Sequence, residues 1–259
     1  MKLSIYQVDA FAEKPFEGNP AAVVPLESWL PDETMQAIAE ENNLAETAFY
    51  IPSDTGFHIR WFTPVREVEL CGHATLAAAF VLFDCLNYSS DVIEFQSLSG
   101  SLFVKKRCDL LQLNFPAQYL KNCETPAELV NGLGATPVEC LSHEDYMAVF
   151  ECEEDIINIK PDHSILEQLD LRGIIITAPS KNYDFVVRFF APKFGIPEDS
   201  VTGSAFTKLV PYWAEKLNKS SFKAKQVSAR GGKVICELNE DRVLIAGRAI
   251  KYMVGTIEI

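Results

Sequence analysis

Apolar and polar positions alternate from Leu3 to Phe11, with Leu3, Ile5, Tyr6 and Val8 apolar and Asp9 interrupting, which predicts an opening strand. Phe16-Glu17-Gly18-Asn19-Pro20 is turn chemistry, and Ala21 to Val24 predicts a short second strand. From Pro31 to Asn43 the spacing of Met35, Ile38 and Ala39 is helical, with Asp32 and Glu33 at the start. The stretch after Asn43 leads into an apolar strand through Ile51, with Glu46 the one carboxylate at its mouth. Phe57 to Phe62 predicts a further strand that stops at Thr63-Pro64. From Cys71 to Cys85 the pattern changes: a short head, Gly72-His73, opens a segment that is apolar on every side. Such a helix has no face to offer water and belongs inside a core. It is shorter than the about 20 apolar residues a membrane span needs. Asn87 is its expected stop. A buried body with a polar head leaves backbone N–H groups at the core's edge, where they favour an anion.

Beyond this helix, strands are expected at Val92 to Phe95 and Ser101 to Lys105, on either side of a Gly100 turn, and at Leu110 to Phe115, closed by Pro116. Helical and turn signals mix from Lys121 to Glu139, followed by strands near Tyr146–Phe150 and Gly173–Ala178. Glu151, Glu153, Glu154 and Asp155 read as a solvated acidic loop. A second helix, Ser204 to Leu217, is less apolar than the first: Lys208, Glu215 and Lys216 expose one side, and Pro211 should kink it or limit its first segment. Lys223 to Ile250 supplies strands, and Lys251 to Ile259 a last one able to return to the first half.

The chain repeats itself in order. Arg60-Trp61-Phe62-Thr63-Pro64 recurs 128 positions later as Arg188-Phe189-Phe190-Ala191-Pro192. Gly72-His73-Ala74 recurs 131 later as Gly203-Ser204-Ala205, and Ser97-Leu98-Ser99-Gly100 at that same offset as Ser228-Ala229-Arg230-Gly231. A period this long, present twice, is no solenoid. It indicates two homologous halves, 1–116 and 117–259, each built as strand, turn, Gly-headed helix and strand pair.

Composition narrows the function. Nearly half of the 259 residues are hydrophobic, enough for a large core. A net charge of −13 argues against a nucleic-acid backbone and an anionic membrane surface, but leaves a small anion possible where N–H groups converge. Seven irregularly spaced cysteines look like reduced thiols. With neither a signal peptide nor an anchor expected at Met1-Lys2-Leu3, the cytoplasm is the simplest home.

Two related halves would set the heads Gly72-His73 and Gly203-Ser204 against a shared cleft, with Asp199 at its lip and Glu46 within reach. Carboxylate, imidazole and second carboxylate around an anion site suit proton transfer without a cofactor. No metal is expected, since Cys71 and His73 offer too few convergent ligands. A hydrolase built from Ser204, His73 and Asp199 lacks the Gly-x-Ser-x-Gly elbow. A protein that kept the cleft and binds or regulates without catalysis is the alternative.

These motifs resemble the PhzF-type isomerase family, named for phenazine biosynthesis. The resemblance rests on Val8-Asp9-Ala10-Phe11 with Phe16 to Val24, on Leu44-Ala45-Glu46-Thr47-Ala48-Phe49, on Leu70-Cys71-Gly72-His73-Ala74-Thr75 and on Glu198 to Ala205. It implies the diaminopimelate-epimerase fold, an α+β architecture of two pseudo-symmetric domains. Each domain would be a curved, mostly antiparallel sheet wrapped round a central helix, with the active site between them. It implies Glu46 as acid/base, His73 and Asp199 as further catalytic residues, and Asn19, Gly72, Gly203 and Ser204 as substrate-binding. It also implies a small anionic metabolite as substrate, no cofactor and a homodimer. Cys71 matches a thiol position of the two-thiol epimerases, but Ser200, Val201 and Thr202 provide no partner thiol, so a buried small residue is expected there. Where the family has Pro after the signature Asp and continues Ser-Ala-His-Cys, this chain has Ser200 and Phe206-Thr207; Phe206 reads as core filling.

Overall fold

In a computed structural model that describes Met1–Ile259, the repeat in the sequence becomes a repeat in strand pairing. The chain forms two units, Met1–Phe115 with Leu244–Ile259, and Pro116–Val243. In the first unit the strands are β1 (Lys2–Ala10), β2 (Asn19–Pro25), β3 (Glu46–Pro52), β4 (Phe57–Phe62), β5 (Glu67–Val68), β6 (Val92–Ser97), β7 (Gly100–Arg107) and β8 (Leu110–Pro116). Strand β2 runs parallel to β3, β3 antiparallel to β4, β4 parallel to β6, and β6 antiparallel to β7. The helices are α1 (Asp32–Asn42) and α2 (Gly72–Phe80).

The second unit copies this order. Its strands are β9 (Lys121–Asn122), β10 (Glu139–Ser142), β11 (Tyr146–Val149), β12 (Ile174–Pro179), β13 (Phe185–Ala191), β14 (Ile196–Asp199), β15 (Ser221–Gln226) and β16 (Gly232–Asn239). Here β11 is parallel to β12, β12 antiparallel to β13, β13 parallel to β15 and β15 antiparallel to β16. Its helices are α3 (Ala127–Leu133), α4 (Glu153–Asn158), α5 (His163–Leu166) and α6 (Gly203–Leu217). Strand β17 (Arg242–Gly247) carries the chain out of the second unit, and β18 (Ala249–Glu258) pairs antiparallel along the whole of β1. The fold is therefore α+β, two copies of one mixed sheet with a helix entering after the same strand pair. No helix is long and apolar enough to cross a membrane.

Helix α2 is buried throughout its body, with Ala74, Leu76, Ala77 and Ala78 fully enclosed against β1, β2 and β3. It continues into a π-helical turn, Val81–Cys85, where the Leu86 N–H reaches the Val81 carbonyl, and the chain turns away at Asn87 with φ 55°. A second layer packs α1 on the sheet through Met35, Ile38, Phe49 and Phe62. In the other unit Leu129, Ile156 and Leu166 from α3, α4 and α5 cover Ile174, Ile176, Val186 and Phe190.

Three local expectations are corrected. Glu153, Glu154 and Asp155 are not a loop but the first turn of α4, closed by a capping box between Cys152 and Asp155. Carboxylates suit that position because the helix dipole is positive there. Helix α6 does not stop at Pro211. Proline lacks the N–H that would serve the Thr207 carbonyl, and Gln118 supplies it from outside, N–H to O at 2.9 Å. Lys208 is not exposed but fully buried, as described below.

Candidate active site

Strand β3 begins at Glu46, α2 begins at Gly72, and β2 begins at Asn19. Parallel pairing of β2 with β3 sets Ala21 level with Glu46. Three element ends thus converge at one edge of the first unit, and all four residues expected there lie together. Gly18 supports the convergence: its φ is +68°, and a Cβ there would overlap the Ala10 carbonyl oxygen. Asn19, Glu46 and His73 are at least nine-tenths buried.

The His73 ring is held from both sides. Nδ1 is 3.2 Å from the Asn19 side-chain amide and 3.5 Å from Cys71 Sγ, while Nε2 is 3.0 Å from Glu46 Oε2. This last contact is an ion pair rather than an aligned hydrogen bond, so Nε2 and Oε2 keep bonding capacity while buried. Burial opposes a charge on His73, but Cys71 and the Glu46 carboxylate outweigh it and hold the imidazole pKa well above 6.5. Burial pushes the Cys71 thiol itself up to about 11. An imidazolium has two N–H donors, so Asn19 must turn its Oδ1 to Nδ1, an amide flip that leaves the shape unchanged.

Cys71 is buried, as expected of a small core residue, and it also touches the imidazole. Glu46, Cys71 and His73 each place a ligand atom within 4.8 Å of the others, one more potential metal ligand than the sequence pairing suggested. The thiol is nearest Nδ1, at 3.5 Å, and a carboxylate oxygen nearest Nε2, at 3.0 Å.

In the second unit the expected residues Asp199, Gly203 and Ser204 gather at the start of α6. Thr202 occupies the N-cap but its side chain does not cap. Its hydroxyl donates instead to Asp199 Oδ2 at 2.6 Å, fixing that carboxylate. Gln226 is the hub behind it: its Oε1 accepts from the Thr202 N–H at 2.9 Å and its Nε2 donates to the Asp199 carbonyl at 2.7 Å. The start of α2 is likewise without a side-chain cap, with Cys71 at that position. Both helices that head the repeat therefore leave backbone donors uncapped by side chains, the arrangement that suits an anion. Phe206 fills the core, fully buried beside Phe185, whose ring stacks on Trp213 at 5.5 Å.

Two charged residues that the sequence pattern did not single out, Asp145 and Arg172, meet Lys208 of α6. Asp145, fully buried, receives Arg172 Nε at 2.8 Å and Nη2 at 2.6 Å, and Lys208 Nζ lies 3.0 Å from its Oδ2. Arg172 Nη2 also donates to Ser204 Oγ at 3.2 Å. Burial would raise the Asp145 pKa, but the two cations reverse this and hold it below the usual carboxylate range. A signal existed: Lys208 lies four residues after Ser204, hence on the same helix face as an expected site residue.

Comparison with known proteins adds kinship. A family model described as phenazine biosynthesis-like protein matches residues 8–255. An uncharacterised isomerase of Pseudomonas aeruginosa is 49% identical over 259 residues, covering 100% of both chains. The crystal structure of a PhzF-family phenazine biosynthesis protein from Enterococcus faecalis superposes with a TM-score of 0.98 at 45% identity, again over 100% of both chains. A probable proline racemase from Agrobacterium radiobacter shares the fold alone, with a TM-score of 0.67 at 10% identity over 99% of this chain and 93% of that one.

Proposed function

The chain belongs to the phenazine biosynthesis-like protein family and is an isomerase by that kinship, and from this premise we propose that it moves a proton within a small carboxylate-bearing molecule. The observation that carries this reading is the buried Glu46–His73 pair, whose facing atoms are 3.0 Å apart and still able to bond. Glu46 Oε2 takes a proton from a substrate C–H, and the electron pair left behind moves into the adjoining conjugated or carbonyl group. The same carboxyl then returns the proton to a different carbon, so the protein ends as it began. His73, cationic beside Glu46, stabilises the carboxylate before transfer and the developing negative charge after it. On the second unit the start of α6, with Gly203 and Ser204, takes the substrate carboxylate, and Asp199, fixed by Thr202, assists proton movement. This chemistry requires no cofactor.

The test is exchange rather than turnover of a named compound. Small metabolite carboxylates are incubated in D2O with the protein and followed by NMR for loss of a C–H signal. The wild type is expected to exchange one of them. Glu46→Gln, which keeps shape and loses the base, should slow that exchange by at least about a hundredfold. Undiminished exchange in Glu46→Gln sinks the assignment.

A further inference from the structure

An arginine has donors and no acceptor, so the contact between Arg172 Nη2 and Ser204 Oγ has one direction: the guanidinium donates and the hydroxyl accepts. The hydroxyl's own proton is then free for a different acceptor. We propose that Arg172, gripped by Asp145, is the positioning residue that makes Ser204 a hydrogen-bond donor to the substrate carboxylate. The inference rests on the reading that the start of α6 takes that carboxylate.

The geometry is specific. Two parallel bonds from Nε and Nη2 to the two oxygens of Asp145 fix the plane of the guanidinium, and only in that plane does the second Nη2 hydrogen meet Ser204. Asp145 has no side-chain exposure and cannot swing away. Lys208, also without exposure, holds the same carboxylate one helical turn below Ser204. Asp145 and its two cations sit at the N-terminal part of a helix, whose end is itself positive. Glu144, half-exposed, approaches Lys208 at 3.5 Å, and Asp199 lies within electrostatic reach of Arg172, so what the cluster offers is the direction of a bond rather than surplus charge. Lys208 has no side-chain exposure while Arg172 keeps 38%, and holding the lysine charge out of water is costly for stability alone. It is intelligible if the aimed donor serves an anion at Ser204.

Malonate, a simple dicarboxylate, is the probe. It is titrated into the nitrogen-15-labelled full chain, with the amides of Gly203, Ser204 and Ala205 as reporters. Saturable shifts there are expected in the wild type; their absence removes both the carboxylate reading of this helix end and the role of Arg172. Ser204→Ala should weaken malonate about tenfold, the loss of one charge-assisted bond. Arg172→Met should weaken it similarly, and the double variant should be no weaker than either single one, because both remove the same donor. If the two losses instead multiply to about a hundredfold, or if Arg172→Met binds as the wild type does, the helix-end reading stands and the positioning role falls. Arg172→Lys separates charge from aim, since it keeps the cation and loses the fork. It should bind as weakly as Arg172→Met; recovery to wild-type affinity overturns the proposal. Should Arg172→Met lose its dispersed spectrum, the Arg172→Lys result decides alone.

Discussion

The charge on His73 depends on Glu46, and that dependence gives a prediction at the scale of single residues. The folded His73 pKa is raised above its ordinary 6.5, so the protonated ring favours the folded state. Its stabilising contribution is complete below about pH 6.5 and is lost as pH rises through the folded pKa. Replacing Glu46 by Gln removes the facing carboxylate, so the pKa of His73 should fall and the alkaline loss of stability should begin at a lower pH. NMR titration of the His73 ring nitrogens, with melting temperature followed against pH, reads both effects; an unchanged His73 titration in Glu46→Gln would break the link. These two residues were legible in the sequence because each is out of place, a carboxylate at the mouth of an apolar strand and an imidazole heading an apolar helix. Lys208 was not legible. A lysine in an amphipathic helix normally marks the wet face, and what reverses this is Asp145, 63 positions earlier and brought alongside only by the fold.

Among the elements, the most informative is a pair of staples that the repeat predicts but does not announce. Arg60 on β4 forks onto Glu67 of β5 with both bonds at 2.7 Å. Arg188 on β13 forks onto Glu198 of β14 at 2.7 and 3.0 Å. Each glutamate stands five residues before the glycine that opens the central helix, so each staple sets how the chain enters that helix. The copies differ in surroundings. Arg188 is largely buried and also donates to the Ile156 and Ile159 carbonyls at the end of α4, whereas Arg60 turns its third nitrogen to Asp32, which is exposed. Arg188→Met should therefore cost about 3 kcal/mol of folding stability, and Arg60→Met nearer about 1. Urea unfolding of the two variants tests the order, and equal losses would show that burial does not set it. The arginines were visible in the sequence repeat. Their function was not, because a spacing of seven residues in one copy and ten in the other does not reveal a shared partner until β5 and β14 are folded back.

For the molecule as a whole, duplication explains why so much of the fold could be read: two offsets along one chain already imply one topology used twice, and β2 to β7 and β11 to β16 follow the same pairing order. Self-association is not encoded by that repeat, and it has to be argued from the surface. Strand β18 exposes Tyr252, Met253 and Val254 in succession, and the Phe16 ring, 68% exposed, stands edge-on to Tyr252 at 5.7 Å. The exposed Phe16–Tyr252 contact, with exposed Met253 and Val254 next along β18, is apolar surface of the kind that proteins cover with a partner. A second copy of the chain would supply the same strip in return under a two-fold axis. Each chain carries −13, so two copies repel at long range and the apolar contact must overcome that repulsion. The association should consequently tighten as salt screens the charge, opposite to a contact held by ion pairs. Sedimentation equilibrium at low and high salt is expected to show a dimer that strengthens with ionic strength. Tyr252→Lys, which puts a charge into the strip without touching either core, should leave a folded monomer. A wild type that stays monomeric at every concentration, or a Tyr252→Lys dimer as tight as the wild type, would rule this strip out as the meeting surface.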